Sequence, residues 1–579
     1  MFHLFAWKLL AALGLSLFVV FPGLGDRWFR LGALALNRVA RRRIRSLALV
    51  GLTSLVLSAA ISLLVRMPQP YAHDEFSYLL AGDTFSHGRL TNPTHPMWQH
   101  FETFHEIQQP TYASKYPPGQ GLALAMGQIL TGYPIAGVWL STALACTAVC
   151  WMMYGWLPPR WALAGGLLTV FHPVVVDWSQ CYWGGSVAMA GGALLLGALP
   201  RIARAPRTCP ALLMGLGIAI LANSRPYEGL ILSLITGAIL LWWVVRHPIA
   251  SRRSRPIRTI FLPLGLVVAV ALAAICFYNH RVTGSAFQLP YQLHEATYGI
   301  TPLFIWQHPR PIPYFRHETL RNFHVNMATV AYRGQTSVAS WLSAIRYKYS
   351  EVAEMHFPTS FGYLLLPILA VAIVRAILKD VCTRIALLIL VAFVLGTLPQ
   401  IFMSYRYTAP AISLLFVVVM QLFRHVGSWT WRTVPIGRSL VRVCLLACVL
   451  ALVVTNVRWL TADLNTTRWA ANRADLIATL KQIHGTHLVV VRYGPRHSPH
   501  QEWVYNEADI DHAPIVWARE MDRPSNKRLL RYFNERKVWL LTIDNDADTP
   551  RLAPYPPLGL GGGAAPGSPD PRAATAVPF

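Results

Sequence analysis

Two acids stand side by side, Asp74 and Glu75, at the centre of the stretch Tyr71-Ala72-His73-Asp74-Glu75-Phe76-Ser77-Tyr78. A carboxylate just beyond an apolar run is costly to bury and hard to explain as packing, so the pair reads as chemistry before structure. One carboxylate can take a proton from an attacking hydroxyl. Cations placed opposite it can receive the charge that grows on a departing phosphate. Three such cations are present: Lys115, beside Tyr116, in Ser114-Lys115-Tyr116-Pro117-Pro118-Gly119; Arg225, near Glu228, in Asn223-Ser224-Arg225-Pro226-Tyr227-Glu228; and Arg406, beside Tyr407, in Ser404-Tyr405-Arg406-Tyr407. Guanidinium groups bind phosphate oxygens in pairs, which suits a phosphate clamp. The plainer alternatives are a solvated helix start for the acids, since acids suit that end of a helix dipole, and arginines that reach for lipid headgroups. Neighbours on a helix point about 100° apart, so Asp74 and Glu75 cannot share one target. Asp74 is assigned the base and Glu75 a positioning or metal role, an order the pair alone does not fix.

These residues need elements to hold them. The chain has 579 residues, 54% hydrophobic and 13% charged, with a mean hydropathy of +0.39, which describes a polytopic membrane protein. Apolar spans are predicted near 46–65, 134–157, 159–178, 183–199, 210–223, 229–246, 258–277, 361–378, 385–402, 408–423 and 439–457, with residues 3–22 a twelfth span or an interfacial helix. The net charge of +25 is concentrated in alternate connections, such as Arg41-Arg42-Arg43 and Arg252-Arg253. That is orientation information, and it argues against nucleic acid as a partner. It places the acid pair, the long 279–360 segment and the C-terminus outside the cytoplasm, in a cell membrane of the bacterial inner-membrane kind.

The expected fold is therefore a polytopic α-helical membrane protein of about 11 transmembrane helices, possibly 12, with a small C-terminal α/β extracytoplasmic domain. Residues 1–45 form an apolar segment and a basic cytoplasmic stretch, 46–457 the transmembrane domain with outer loops 67–120 and 279–360, 458–557 the soluble domain, and 558–579 a disordered tail. In the soluble part, helices are predicted at 468–484 and 526–536, and strands at 487–492, 515–519 and 538–543. The 279–360 segment is expected to supply short surface helices that could cover a site. The eight cysteines sit in or beside spans and suggest neither a disulfide framework nor a paired metal site. A divalent metal is left open, with Glu75, His95 and His105 as candidate ligands, although no spacing fixes a site.

An Asp-Glu pair in the first outer loop, followed by Lys115-Tyr116-Pro117-Pro118-Gly119, resembles the GT-C integral-membrane glycosyltransferases, in the protein O-mannosyltransferase and aminoarabinose transferase branch. Arg406-Tyr407 is similar to a basic-aromatic motif of that branch. The resemblance spans residues 46–457 and implies an inverting glycosyl transfer from a polyprenyl-phosphate sugar to a hydroxyl acceptor (protein, lipid or glycan) at the outer face of the membrane. It carries Asp74 and Glu75, then Lys115 and Arg406; Arg225 and Glu228 rest on local chemistry. The C-terminal domain matches no known part of that branch. Rival readings are a transporter or flippase of lipid-linked anionic sugars, a surface-polysaccharide polymerase or ligase, and a non-catalytic surface protein. Transporters favour ionisable groups at mid-membrane and repeated halves, neither of which is evident here.

Overall fold

A computed structural model describes residues 26–246, 256–356, 374, 379–430, 436–461, 468–545 and 550–557. Five helices are long and apolar enough to cross a membrane: Arg43–Leu64, Pro134–Trp156, Gly185–Arg204, Pro226–Arg246 and Ile257–Thr283. Pro159–Phe171 and Pro173–Ser179 make a sixth crossing if taken together, with a bend of 55° between them. The bend falls at His172-Pro173, where proline deprives the helix of a donor. Thr208–Ala222, Val381–Thr397 and Ile412–Val426 are apolar but shorter, and Ile436–Thr461 follows. Each of these helices overlies a predicted span, but the three short ones fall below the ~20 residues a crossing needs. The spans predicted at 3–22 and 361–378 lie outside the described residues. One helix was not foreseen: Asp26–Ala40 occupies what reads in sequence as a basic stretch.

The helices meet where side chains are small. A Cβ on Gly137 would stand 1.9 Å from the Ala123 carbonyl oxygen, and one on Gly192 1.8 Å from that of Pro410. Glycine at these two points lets backbones approach as closely as helices in lipid require. The core between them is fully buried at Met152, Met153, Leu163, Met189 and Leu196.

The outer part is built on the helix His73–Ser86, which ends at His87 and turns through Gly88, whose φ of +71° favours glycine. A small sheet follows, with β1 (Asn92–Pro93), β2 (Glu106–Ile107) and β3 (Thr111–Ser114) in the order β1-β3-β2. The long connection after Thr283 supplies the expected short helices, among them Pro290–Thr297, Glu318–Arg321 and Val338–His356.

After Arg468 the chain forms an α/β unit. Strands β4 (His487–Arg496), β5 (Ile515–Arg519), β6 (Lys537–Asn545) and β7 (Arg551–Pro554) lie in the order β5-β4-β6-β7, the first three parallel and β7 antiparallel. Alternation along β4 sorts the two faces, as period-2 geometry demands. Val489 and Val491 pack with Leu476 and Leu480 of helix Arg468–Gln482, whereas Leu488 and Val490 pack with Leu529 and Phe533. This unit is not separate from the rest. Phe76 belongs to the first of those cores, and Leu80, Phe101 and Tyr112 belong to the second.

Candidate functional site

Asp74 and Glu75 open the helix His73–Ser86 and face different surroundings. Glu75 is fully buried. One of its carboxylate oxygens accepts from the backbone N–H of Tyr71 (2.9 Å) and Ala72 (3.1 Å), closing the helix start; the other accepts from Tyr182 N–H at 2.9 Å. Burial raises its pKa, against the pull of those N–H groups and of Arg406. Glu75 therefore ties its own helix to the Asp177–Gly185 turn and contributes no wall to the cavity described next. Its expected alternative as direct catalytic group or metal ligand is not what this geometry offers: both oxygens are already engaged by backbone donors.

Asp74 lines a cavity of about 380 Å³. Its carboxylate accepts a hydrogen bond from the Tyr116 hydroxyl, which also lies 3.1 Å from His105 Nδ1. His105 Nδ1 is 3.8 Å from the second Asp74 oxygen. Burial, then the nearby Lys115 ammonium, pushes the His105 pKa well down, so this imidazole is neutral. His105 has a φ of 61°, a left-handed backbone that is uncommon without glycine and that marks a position held by its surroundings.

Lys115, Tyr116, Arg225, Glu228, Arg406 and Tyr407 line the same cavity. The three cations are not equivalent. Lys115 Nζ lies 3.4 Å from Glu295 and over the Tyr291 ring at 4.8 Å. Burial alone would raise Glu295; Lys115 and then His294 outweigh it and hold this carboxyl well below the usual range. Arg406 is 3.3 Å from Asp177, donates to Cys181 Sγ at 3.2 Å and sits over the Trp183 ring at 4.1 Å. Arg225 stacks over Tyr407 at 4.7 Å and has no carboxylate within ion-pair distance among the described residues. It hydrogen-bonds Tyr407, and its charge partners, Glu228 and Asp74, act from beyond ion-pair distance. Glu228 accepts from Gln400 at 2.8 Å, a partner that keeps it oriented without neutralising it.

The rest of the lining mixes apolar side chains, Ile275, Leu289, Leu303, Phe304 and Phe402, with polar ones such as Asn223, Asn279 and Gln400. Cations beside apolar side chains suit an amphiphile with a charged head. Tyr78, Trp183, Tyr291 and Glu295 were not singled out in the sequence as site residues. Tyr78 had a signal, since it ends the acidic stretch; Tyr291 and Glu295 had none, because nothing in a loop sequence says which cation it will meet.

The candidate metal ligands are not brought together. Glu75 bonds backbone N–H groups, His105 faces Asp74, and His95 Nε2 lies 3.0 Å from Asp511 at the contact with the C-terminal unit. Among the described residues no group of three or more His, Cys, Asp or Glu could hold a metal ion.

The C-terminal unit reaches the acid through its flanking residues. Tyr505 OH is hydrogen-bonded to His73 Nδ1 at 2.7 Å, and its ring stacks on Phe76 with centroids 4.0 Å apart. Arg473 lies 5.1 Å from the Phe76 ring centre, and Ala508 N–H donates to Asp83 at 2.7 Å. Arg519 donates to the Glu102 carbonyl at 2.6 Å while paired with buried Glu502. The helix that carries Asp74 is therefore gripped before and after it by Tyr505 and Ala508, more than four hundred positions away in sequence.

No protein-family model and no curated protein matches the chain. Solved structures do. The chain is similar to ArnT from Cupriavidus metallidurans in the apo state, with 13% identity and a TM-score of 0.47, over 86% of this chain and 92% of that one. It is also similar to the Archaeoglobus fulgidus oligosaccharyltransferase in complex with Zn and sulfate, with 11% identity and a TM-score of 0.45, over 86% and 67% of the two chains. For AglB of that organism in complex with an inhibitory peptide and a dolichol-phosphate, the figures are 11%, 0.37, 86% and 69%.

Proposed function

We propose that this protein is a multi-pass membrane glycosyltransferase that moves a sugar from a polyprenyl-phosphate donor to a hydroxyl acceptor, with inversion, at the outer face of the membrane. The observation that carries this reading is one cavity in which Asp74 faces Lys115, Arg225 and Arg406 across an apolar wall. Asp74 takes the proton of the acceptor hydroxyl, whose oxygen attacks the anomeric carbon from the side opposite the phosphate. The bond from that carbon to the phosphate oxygen breaks, and the electron pair leaves with the phosphate. Arg225 receives the growing charge, helped by Lys115 and Arg406. Tyr116 and His105 hold the Asp74 carboxylate in place. A single carboxylate with cations suffices here, because a phosphate leaves without the strong general acid that a glycosidase needs.

A monophosphate suits this cavity better than a pyrophosphate. Lys115 and Arg406 are each matched by a carboxylate, Glu295 and Asp177, and Arg225 shares the cavity with Asp74 and Glu228. No surplus of positive charge remains to offset a second phosphate. The decisive experiment uses purified protein in lipid nanodiscs with a radiolabelled polyprenyl-phosphate sugar, comparing wild type with Asp74→Asn. Sugar release or transfer that disappears in the variant supports the enzyme. Transfer that continues unchanged removes Asp74 from the mechanism, and protein-dependent lipid movement without cleavage supports a flippase instead.

A further inference from the structure

Helix Arg523–Tyr532 of the α/β unit sorts its side chains by charge. Ser525, Asn526 and Leu529 are buried, and Leu529 packs with Phe533, Leu488 and Val490 in one core of the sheet. At about 100° per residue, Arg523, Lys527, Arg531 and Arg528 fall within about 140° on the other side. All four are exposed. The first three recur at every fourth position, about 6 Å apart along the axis. From Arg523 to Lys537 the chain has six Lys or Arg and one acid, Glu535.

Other cations of the unit are engaged by the fold. Arg492 pairs with Glu520 and Arg519 with Glu502. Arg536 donates to the carbonyls of His487, Ala513 and Asp511. By contrast, Lys527, Arg528 and Arg531 have no carboxylate at ion-pair distance among the described residues, and Arg528 donates to Ser525 Oγ at 3.2 Å. Like charges four residues apart weaken a helix, and an anion laid along the row would relieve that.

The shape of the row selects among anions. A helix that lies on a membrane puts an apolar face into lipid. Here the apolar face is taken up by the sheet. The outward side offers one aromatic, Tyr532, 41% exposed and bonded to Asp511 at 3.2 Å. A lone small anion is held by donors that converge in a concave site. A row along the outside of a helix instead matches charges repeated along a chain.

We propose that the outward face of helix Arg523–Tyr532 is a docking surface for an acidic polysaccharide, a chain of sugars bearing repeated anionic groups. That this chain is also the hydroxyl acceptor rests on the function proposed above; that the polyanion binds does not. The same unit grips the helix that carries Asp74, so a polymer held here keeps its hydroxyls at a raised effective concentration near the cavity.

The test uses the full-length protein in phosphatidylcholine nanodiscs, with end-labelled oligogalacturonate as the acidic probe and labelled dextran as the neutral one, read by fluorescence anisotropy. Oligogalacturonate should bind at low salt and weaken as salt screens exposed charge, and dextran should not bind. Lys527→Gln, Arg528→Gln and Arg531→Gln together should lower that affinity by about tenfold or more, the sum of three exposed charge contacts. The same loss of charge at Lys481→Gln, Arg496→Gln and Arg551→Gln, on the same unit, should leave it unchanged. All six side chains are exposed, where substitutions disturb the fold least. A wild type that does not bind oligogalacturonate, equal losses in the two triple variants, or equal binding of dextran overturns the proposal. So does hydrogen-exchange protection of residues 523–532 in phosphatidylglycerol nanodiscs without polymer, which assigns the face to lipid headgroups. Polysaccharide bound by a wild type that transfers no sugar sinks the glycosyltransferase reading and leaves the docking surface standing; transfer by a wild type that binds no polymer does the reverse.

Discussion

The two sides of the cavity around Asp74 are held by different means. The acid side is anchored in the outer part of the molecule, where Tyr505 bonds His73 and stacks on Phe76. The cation side sits at the ends of apolar helices, where Arg406 is fixed by Asp177 and Arg225 by the face of Tyr407. The acid therefore depends on packing between distant segments, and the cations on short-range electrostatics. Damage to the first should show in turnover and damage to the second in donor affinity or in folding.

The largest expected effect is at the acid itself. Asp74→Asn should lower transfer by about a thousandfold with the fold intact, in the range lost with a general base. Glu75→Gln should instead lower the melting temperature, because it weakens the charge-assisted bonds to Tyr71, Ala72 and Tyr182. Equal loss of turnover without loss of stability would reverse the two assignments. Next comes Arg406→Ala, which leaves Asp177 buried without its cation and should cost about 3–5 kcal/mol of stability. Asp177→Asn in the same chain should restore part of it, and a melting point that ignores the second change would break the claim that the pair is structural.

A broader effect concerns the histidines behind the acid. Burial, and after it neighbouring cations and histidines, holds His294 at about 4 and His324 at about 3, and pushes His73 and His105 well down. An unfolded chain protonates them near their ordinary value of 6.5, so the unfolded state binds more protons as pH falls. Stability is thus full above about pH 6.5 and declines below it. Denaturant melts at about pH 7.5 and about pH 5.5 will show this slope, and His294→Gln should flatten it. Arg225→Ala should weaken polyprenyl-phosphate binding by about 10- to 100-fold, the worth of one charge-assisted contact, with little change in melting. Lys481→Ala, on the outer unit, should do nothing to that affinity. Tyr505→Phe carries the smallest expected effect, about 1 kcal/mol for one hydrogen bond, and should lower turnover more than it changes donor KM. A change in KM alone would place Tyr505 outside the acid's support.

Much of this site is legible in the sequence because charge is rare in so apolar a chain. Asp74, Lys115, Arg225, Glu228 and Arg406 stand out in the loops and turns between apolar spans, and they line one cavity. What the sequence could not say is which cation is already matched. Arg406 and Arg225 look alike beside their tyrosines, yet Asp177 meets only the first. Between the positioning and the metal role offered for Glu75 the sequence could not choose, since nothing in Asp74-Glu75 shows that a distant Tyr182 N–H would meet one carboxylate and not the other. The strands β4, β5 and β6 fall where alternation puts them, but alternation cannot name what covers a face. That Phe76 and Leu80 complete the sheet's cores is a property of the assembled molecule. The histidines at 95 and 105 were grouped by composition as ligands and belong to different contacts.

The grip of Tyr505 on His73 and Phe76 has a consequence for synthesis. Tyr505, which steadies the carboxylate, follows every apolar helix described above, so those helices can be threaded into lipid before the acid has its support. A chain stopped near Thr461 would carry Lys115, Arg225 and Arg406 but not Tyr505, so Asp74 would stand on a helix start that nothing beyond the membrane part holds.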